Sequence, residues 1–193
     1  MKKTLTFLII ILLSVSKVYS IEADIFIQST VNRASEALNS NFSKEEKIEK
    51  LKEIASDTVD IDGIGRYTLG SYKNQITDSQ MTEYKNLFRQ YFLKSFSSRL
   101  AEYSNPEIEV ISKKKLNKNY TIVSSILIST EQRPEVKIDW RVSTKNPDNP
   151  LIMNLIIEGL SLARTQKEEF SSIIQSNEGD INALFSTLKK FIK

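Results

Sequence analysis

Gly159-Leu160-Ser161-Leu162-Ala163 has the outline of the G-x-S-x-G turn that presents a nucleophilic serine between a strand and a helix, with Ala in the last place. In a Ser-His-Asp relay a histidine takes the proton of that serine, and the chain contains no histidine, so the relay cannot be built. Cysteine is absent as well, which removes thiolate chemistry and the ligands that zinc and redox metals prefer. Paired acids remain, Glu168 with Glu169 and Asp60 with Asp62. Glu168 and Glu169 are adjacent on an expected helix, so they point in different directions and read as charged surface. Asp60-Ile61-Asp62-Gly63 begins like a calcium loop but lacks the third acidic ligand and the distant Glu. Helix capping is the reading for those aspartates, and also for Ser161, whose hydroxyl can meet free N–H groups at a helix start. No catalytic residue, metal site or cofactor follows from these patterns, and the chain reads as a non-enzyme.

The elements that would position these residues divide into two regimes. The first half has helical spacing. Ile25, Ile27, Val31, Ala34 and Leu38 form one apolar face, and the pattern breaks at Asn39-Ser40-Asn41. Ser43 with Glu46, then Thr77 with Gln80, have the capping-box spacing and mark two further starts. A short helix is expected over Thr58 to Leu69, ending near Gly70. The helix from Thr77 carries Met81, Tyr84, Leu87, Phe88, Tyr91, Phe92, Phe96, Leu100 and Tyr103 and stops before Asn105-Pro106. The period then changes to two. Ile108, Val110 and Ser112 alternate, Tyr120 to Ser129 is rich in β-branched residues, and Val136, Ile138, Trp140 and Val142 alternate with Lys137, Asp139 and Arg141. Leu151 to Ile157 reads as an apolar strand. Lys113-Lys114-Lys115, between two of these strands, is expected in a solvated hairpin loop. Helices over Leu162 to Gln175 and Asp180 to Ile192 close the chain. This is an α+β layout: one domain, with a four-stranded antiparallel sheet packed against helices and the long aromatic helix as its cover.

Composition narrows the function classes. Lys2 and Lys3, an apolar run from Leu5 to Val15 and Val18-Tyr19-Ser20 follow the plan of a secretory signal peptide over residues 1–20, leaving one domain over 21–193. The apolar run, about eleven residues, falls short of the roughly twenty that span a bilayer. Without cysteine there is no lipoprotein anchor and no disulfide. Lys2, Lys3 and Lys17 leave with the leader, so the rest of the chain balances basic and acidic residues and nucleic acid is not an expected partner. Phe88, Phe92 and Phe96 share one helical stripe and Val136, Ile138, Trp140 and Val142 share one strand face. These rows suit either a filled core or two walls of a hollow one. A periplasmic protein-interaction module with a filled core is therefore an alternative on these residues alone.

Several separated stretches resemble the MlaC-type periplasmic phospholipid-shuttle proteins, also called the toluene-tolerance family. Asp60-x-Asp62-x-Ile64-x-Arg66-Tyr67-x-Leu69-Gly70-x-Tyr72 is similar to the family's D-x-x-x-x-A-R-x-x-L-G-x-x-W region. Thr77-x-x-Gln80, Tyr84, Phe88 and Phe92 are similar to its T-x-x-Q-x-x-x-F-x-x-x-F helix. Ile138-Asp139-Trp140-Arg141, Ile156-Ile157-Glu158-Gly159-Leu160-Ser161 and Glu178-Gly179-Asp180-x-x-Ala183-Leu184 follow in the family's order. Gly65 stands where the family often has Ala, Asn154 where it usually has Asp, and Leu151 where Trp is common. The resemblance implies a soluble periplasmic carrier with an apolar cavity between sheet and helices and phospholipid as cargo. Its lipid-binding residues would be Leu69, Phe88, Phe92, Phe96, Val136, Ile138, Trp140, Val142 and Leu155. It also implies two partners, an outer-membrane lipoprotein complex and the inner-membrane MCE-domain protein of an ABC transporter, and a role in outer-membrane lipid asymmetry.

Overall fold

A computed structural model describes residues 21–131 and 133–193; the leader expected over residues 1–20 lies outside them. Local chemistry sets the helix starts. Ser43 and Glu46 close a full capping box ahead of α2 (Lys44–Thr58), and Thr77 and Gln80 close another ahead of α4 (Asp78–Leu100). α1 (Ala23–Asn39) precedes them. Asp60 caps α3 (Ile61–Thr68) by accepting the Gly63 N–H at 2.9 Å, which is the capping role expected of it. α3 begins three residues later than its spacing predicts. Val59 is drawn out of the helix by a parallel bridge to Ile152, and the Asp60 N–H donates to the Ile152 carbonyl at 2.9 Å. After α3 the chain enters a 3₁₀ turn (Gly70–Asn74) through Gly70, whose φ of 57° favours glycine. α5 (Leu162–Gln175) and α6 (Ile181–Ile192) end the chain.

The sheet is antiparallel and runs in sequence order: β1 (Ile108–Asn117), β2 (Tyr120–Leu127), β3 (Val136–Ser143), β4 (Leu151–Ile157) and β5 (Leu160–Ser161). The fifth strand is an addition to the four expected. It exists because Glu158 and Gly159 both take left-handed backbone, with φ of 49° and 81°, and fold Leu160 and Ser161 back on Ile157 and Ile156.

Lys113, Lys114 and Lys115 are not in a hairpin loop. They lie inside β1, opposite Val123, Ile122 and Thr121, and the turn comes afterwards at Lys118-Asn119. An edge strand is half solvated, so charge is tolerated there. The register slips at Ile111, between Val110 and Ser112, so Val110 and Lys113 share one face of the sheet and Ser112 the other. Lys113 then reaches the start of α1, bonding Glu22 at 2.6 Å and Asp24 at 2.8 Å. Gln28 of α1 meets the outer edge of β1 with both ends of its amide, accepting from the Val110 N–H at 3.1 Å and donating to the Ile108 carbonyl at 3.4 Å.

The cover of the sheet also differs from expectation. α1 lies against β1 and β2, and α3 and α5 lie against β4. α4 runs along α2, α3 and α6 instead. Its apolar residues occupy more than one stripe, which lets it serve helices on several sides. Among the described residues no helix is long and apolar enough to cross a membrane.

Candidate functional site

Strand register defines the inner face of the sheet. Directly paired residues share a face, so Thr121, Val142 and Ile152 form one row. Val123, Trp140 and Leu155 form the next, then Val110, Ser125, Ile138 and Ile157, then Ile108, Leu127 and Val136. Val123, Ser125, Leu127 and Ile138 stay buried along the middle of this face, and burial falls at its flanks. Val142 and Ile152 are sealed, at 0% and 2% exposure, while Val136, Leu155, Ile157, Ile108 and Val110 are only half-buried. The inner face is thus closed at the end near α3 and opens at the end bounded by the β2–β3 loop and the β4–β5 turn. Leu160, paired with Ile157 on that same face, is 59% exposed.

α4 shows the same gradient. Its first half is core: Tyr84 and Phe88 are wholly buried, with Phe170 edge-on to Phe88 at 6.2 Å between ring centroids. The Tyr84 hydroxyl lies 2.8 Å from Thr68 Oγ1 and donates to the Gly65 carbonyl at 3.2 Å. Burial pushes that phenol far above its ordinary pKa, so it stays a neutral hydrogen-bonding group. The second half of α4 buries Ser97 but leaves its large apolar residues less enclosed. Phe92, Leu93 and Phe96 are half-buried, and the Phe92 and Phe96 rings stack at 5.5 Å.

The residues expected to hold lipid therefore occupy two environments. Leu69, Phe88 and Val142 are enclosed, and Ile138 and Trp140 are nearly so, each at 7% exposure. Phe92, Phe96, Val136 and Leu155 are half-open. Trp140 and Leu155 face each other across β3 and β4, as do Trp140 and Val123 across β2 and β3. The Trp140 indole N–H donates to Ser125 Oγ at 2.8 Å, so the ring lies on an apolar face without an orphaned donor. Ile157, Ile108, Val110 and Leu93 belong to the same half-open group and were not singled out from the sequence. Ile157 follows Leu155 by two on one strand, and that spacing was the available signal.

The polar groups near the serine turn have structural work. Ser161 Oγ accepts the Arg164 N–H at 3.2 Å and caps α5 as expected. Asn154 supports the cap, donating to Ser161 Oγ at 2.8 Å and accepting the Ala163 N–H at 3.1 Å. Among the described residues no cluster of acids could hold a metal ion. Two surface depressions, of about 580 Å³ at Ser176–Asp180 and about 460 Å³ along the outer side of α1, touch neither the inner face nor α4.

Comparison with known proteins identifies what this architecture is. The family model of the MlaC protein matches residues 28–190. The chain belongs to the MlaC family. A solved structure of a phospholipid-binding protein from Ralstonia solanacearum, in complex with a phospholipid, shares the fold of this MlaC-family chain. The two superpose with a TM-score of 0.75 at 17% sequence identity, over 89% of this chain and 97% of the other. No curated protein sequence matches. The stretches that carried the resemblance fall on defined elements. The Asp60–Tyr72 stretch forms α3 and its 3₁₀ turn, and the Thr77–Phe92 stretch starts α4.

Proposed function

We propose that this chain is a periplasmic phospholipid carrier. It takes lipid from one membrane complex to another, between an outer-membrane lipoprotein complex and the MCE-domain protein of an inner-membrane ABC transporter, and so maintains outer-membrane lipid asymmetry. It works by binding alone and carries out no chemistry on its cargo. Export depends on cleavage of the leader near Ser20–Ile21. The sequence has no P-loop, so the energy for directional transfer comes from the partner ATPase.

The observation that supports this reading is the partial burial of large apolar side chains on the inner face of the sheet and on α4. Val136, Leu155 and Ile157 on the sheet and Phe92 and Phe96 on α4 are large apolar side chains left half-buried. Two acyl chains hold roughly thirty methylenes, each costing about 0.8 kcal/mol to expose, so a carrier must offset on the order of 20 kcal/mol. Half-open rows of this kind supply such surface when lipid parts them. The bound phospholipid of the Ralstonia protein and the family membership support the same cargo.

Native mass spectrometry of protein purified without detergent tests it. Wild type should carry phospholipid at about one molecule per chain. Val136→Trp fills the half-open row at constant polarity. It should remove the lipid while leaving the melting temperature near that of delipidated wild type. A filled core would instead lose about 1–3 kcal/mol to overpacking. That loss, together with lipid-free wild type, refutes the carrier reading.

A further inference from the structure

The corner where the inner face opens holds an unusual cation. Arg133 sits in the β2–β3 loop, and its guanidinium donates to the Ile128 carbonyl at 3.1 Å. Its centre lies 5.5 Å from the ring centroid of Tyr103, which follows the last turn of α4. Arg133 thus links the β2–β3 loop, at the open end of the inner face, to the segment that follows α4. Ile128 in turn donates its N–H to the Glu107 carbonyl, next to Ile108 in the last apolar row, and Val136 of that row is three residues from Arg133. Pro134 and Glu135, between them, are exposed, and so are Tyr103 and Leu160.

The bonding of Arg133 is incomplete. A guanidinium has five N–H donors in a rigid fork. Here Nε is shielded from solvent and has no acceptor. Among the described residues no carboxylate lies within ion-pair distance of Arg133, and what sets it apart from the other unpaired arginines is the shielded Nε. A shielded donor without an acceptor is costly, and a charged one more so. An oxyanion that reached Nε as the half-open rows part would complete the fork, and a tetrahedral phosphate is an anion whose geometry the fork matches.

We propose that Arg133 is the headgroup contact of the site: its guanidinium takes the phosphodiester of a phospholipid whose acyl chains lie along the half-open rows. Tyr103 holds the guanidinium plane from one side, and the Ile128 carbonyl fixes its rotation. The contact reads the phosphate that all glycerophospholipids share, so it selects phospholipid over neutral lipid rather than one headgroup over another. This rests on the carrier reading above.

The test compares two lipids with the same chains. Delipidated protein is titrated with dioleoyl phosphatidylglycerol and with dioleoylglycerol, using the fluorescence of Trp140, the single tryptophan of the chain. Wild type should prefer the phospholipid by about tenfold or more, the size of a lost charge-assisted hydrogen bond. Arg133→Ala should abolish the preference and leave the affinity for dioleoylglycerol unchanged. Arg133→Gln, which keeps a donor for Ile128, should do the same, while Arg133→Lys should keep part of the preference. A preference that survives in Ala and Gln overturns the assignment. Equal weakening of both lipids makes Arg133 a strap between loop and helix, and also overturns it. Inorganic phosphate at millimolar concentration is the third arm. Binding of phosphate that needs Arg133, with no preference between the lipids, would assign a free-anion site and not a headgroup contact. If wild type binds neither lipid, the carrier reading itself fails and takes this assignment with it.

Discussion

Gly65→Ala puts a single methyl group between α3 and the core ring of α4. A Cβ built on Gly65 would lie 2.8 Å from Cδ1 of Phe88 and 3.2 Å from Cε1, well inside ordinary contact. The backbone does not oppose the change, since Gly65 is an interior helical residue and its φ is not among the positive ones. Helix propensity alone would favour Ala by about 1 kcal/mol. The obstacle is the ring. Phe88 is 2% exposed and surrounded by the rings of Tyr84, Tyr91, Phe92 and Phe170, at centroid distances of 5.7 to 6.4 Å, so it cannot swing away cheaply. Overpacking of this kind costs about 1–3 kcal/mol, and a boxed ring belongs in the upper half of that range. Set against the propensity gain, the net loss is about 1–2 kcal/mol, or about 3–6 °C in melting temperature for a chain of this size. The double variant makes the reasoning testable. Phe88→Leu alone should cost about 1–2 kcal/mol, because Leu refills only part of the space. In that background the Gly65 methyl has room, so Gly65→Ala should cost nothing or stabilise. Urea unfolding of the four proteins then gives a coupling of about 1–3 kcal/mol. Additive effects, or a Gly65→Ala single variant more stable than wild type, would refute the close approach of α3 to Phe88.

Two further outcomes follow from the polar groups. Ser161→Ala removes the α5 cap and leaves the Asn154 amide without one partner, so it should lower stability by about 0.5–2 kcal/mol in thermal melts. Incubation with phospholipid should release no free fatty acid from either protein, and release by wild type alone would make Ser161 a nucleophile. Ser97 Oγ is buried in α4 with no partner among the described residues, so Ser97→Ala should raise stability by about 1 kcal/mol, read as a higher urea midpoint at unchanged slope. A fall in the midpoint would mean that the hydroxyl is satisfied.

Helix starts were legible because each carries its own short-range chemistry. Ser43 with Glu46, Thr77 with Gln80, and Ser161 bond within their own first turn, so sequence spacing is enough. Strand alternation at Val136 to Val142 was legible for the same reason: one face is buried and the other is wet. What failed depends on distant partners. Three lysines in a row look like a loop until α1 brings Glu22 and Asp24 to Lys113. The slip at Ile111 has no compositional mark, yet it reverses the face of every residue after it. Val59 reads as helix until Ile152 bridges to it. In the site, the aromatic row of α4 was visible as one stripe, but its division into an enclosed half at Phe88 and a half-open one at Phe92 and Phe96 depends on which elements lie alongside. Arg133 and Tyr103 were invisible as a pair because a loop and a helix end meet only in the fold.

The amide of Gln28 has a consequence for how this protein meets others. An uncovered strand edge is a template on which any extended chain can add by backbone pairing, with little regard for sequence. Here the β1 edge is occupied at Ile108 and Val110 by Gln28, and farther along it carries the lysines. The opposite edge is taken by the β5 hairpin and by the backbone of Val59 and Asp60 at Ile152. Part of each border of the sheet is thus already taken. A chain that added to the sheet by strand pairing at Ile108–Val110 or at Ile152 would have to displace these contacts first, so side-chain fit is the easier route to recognition there.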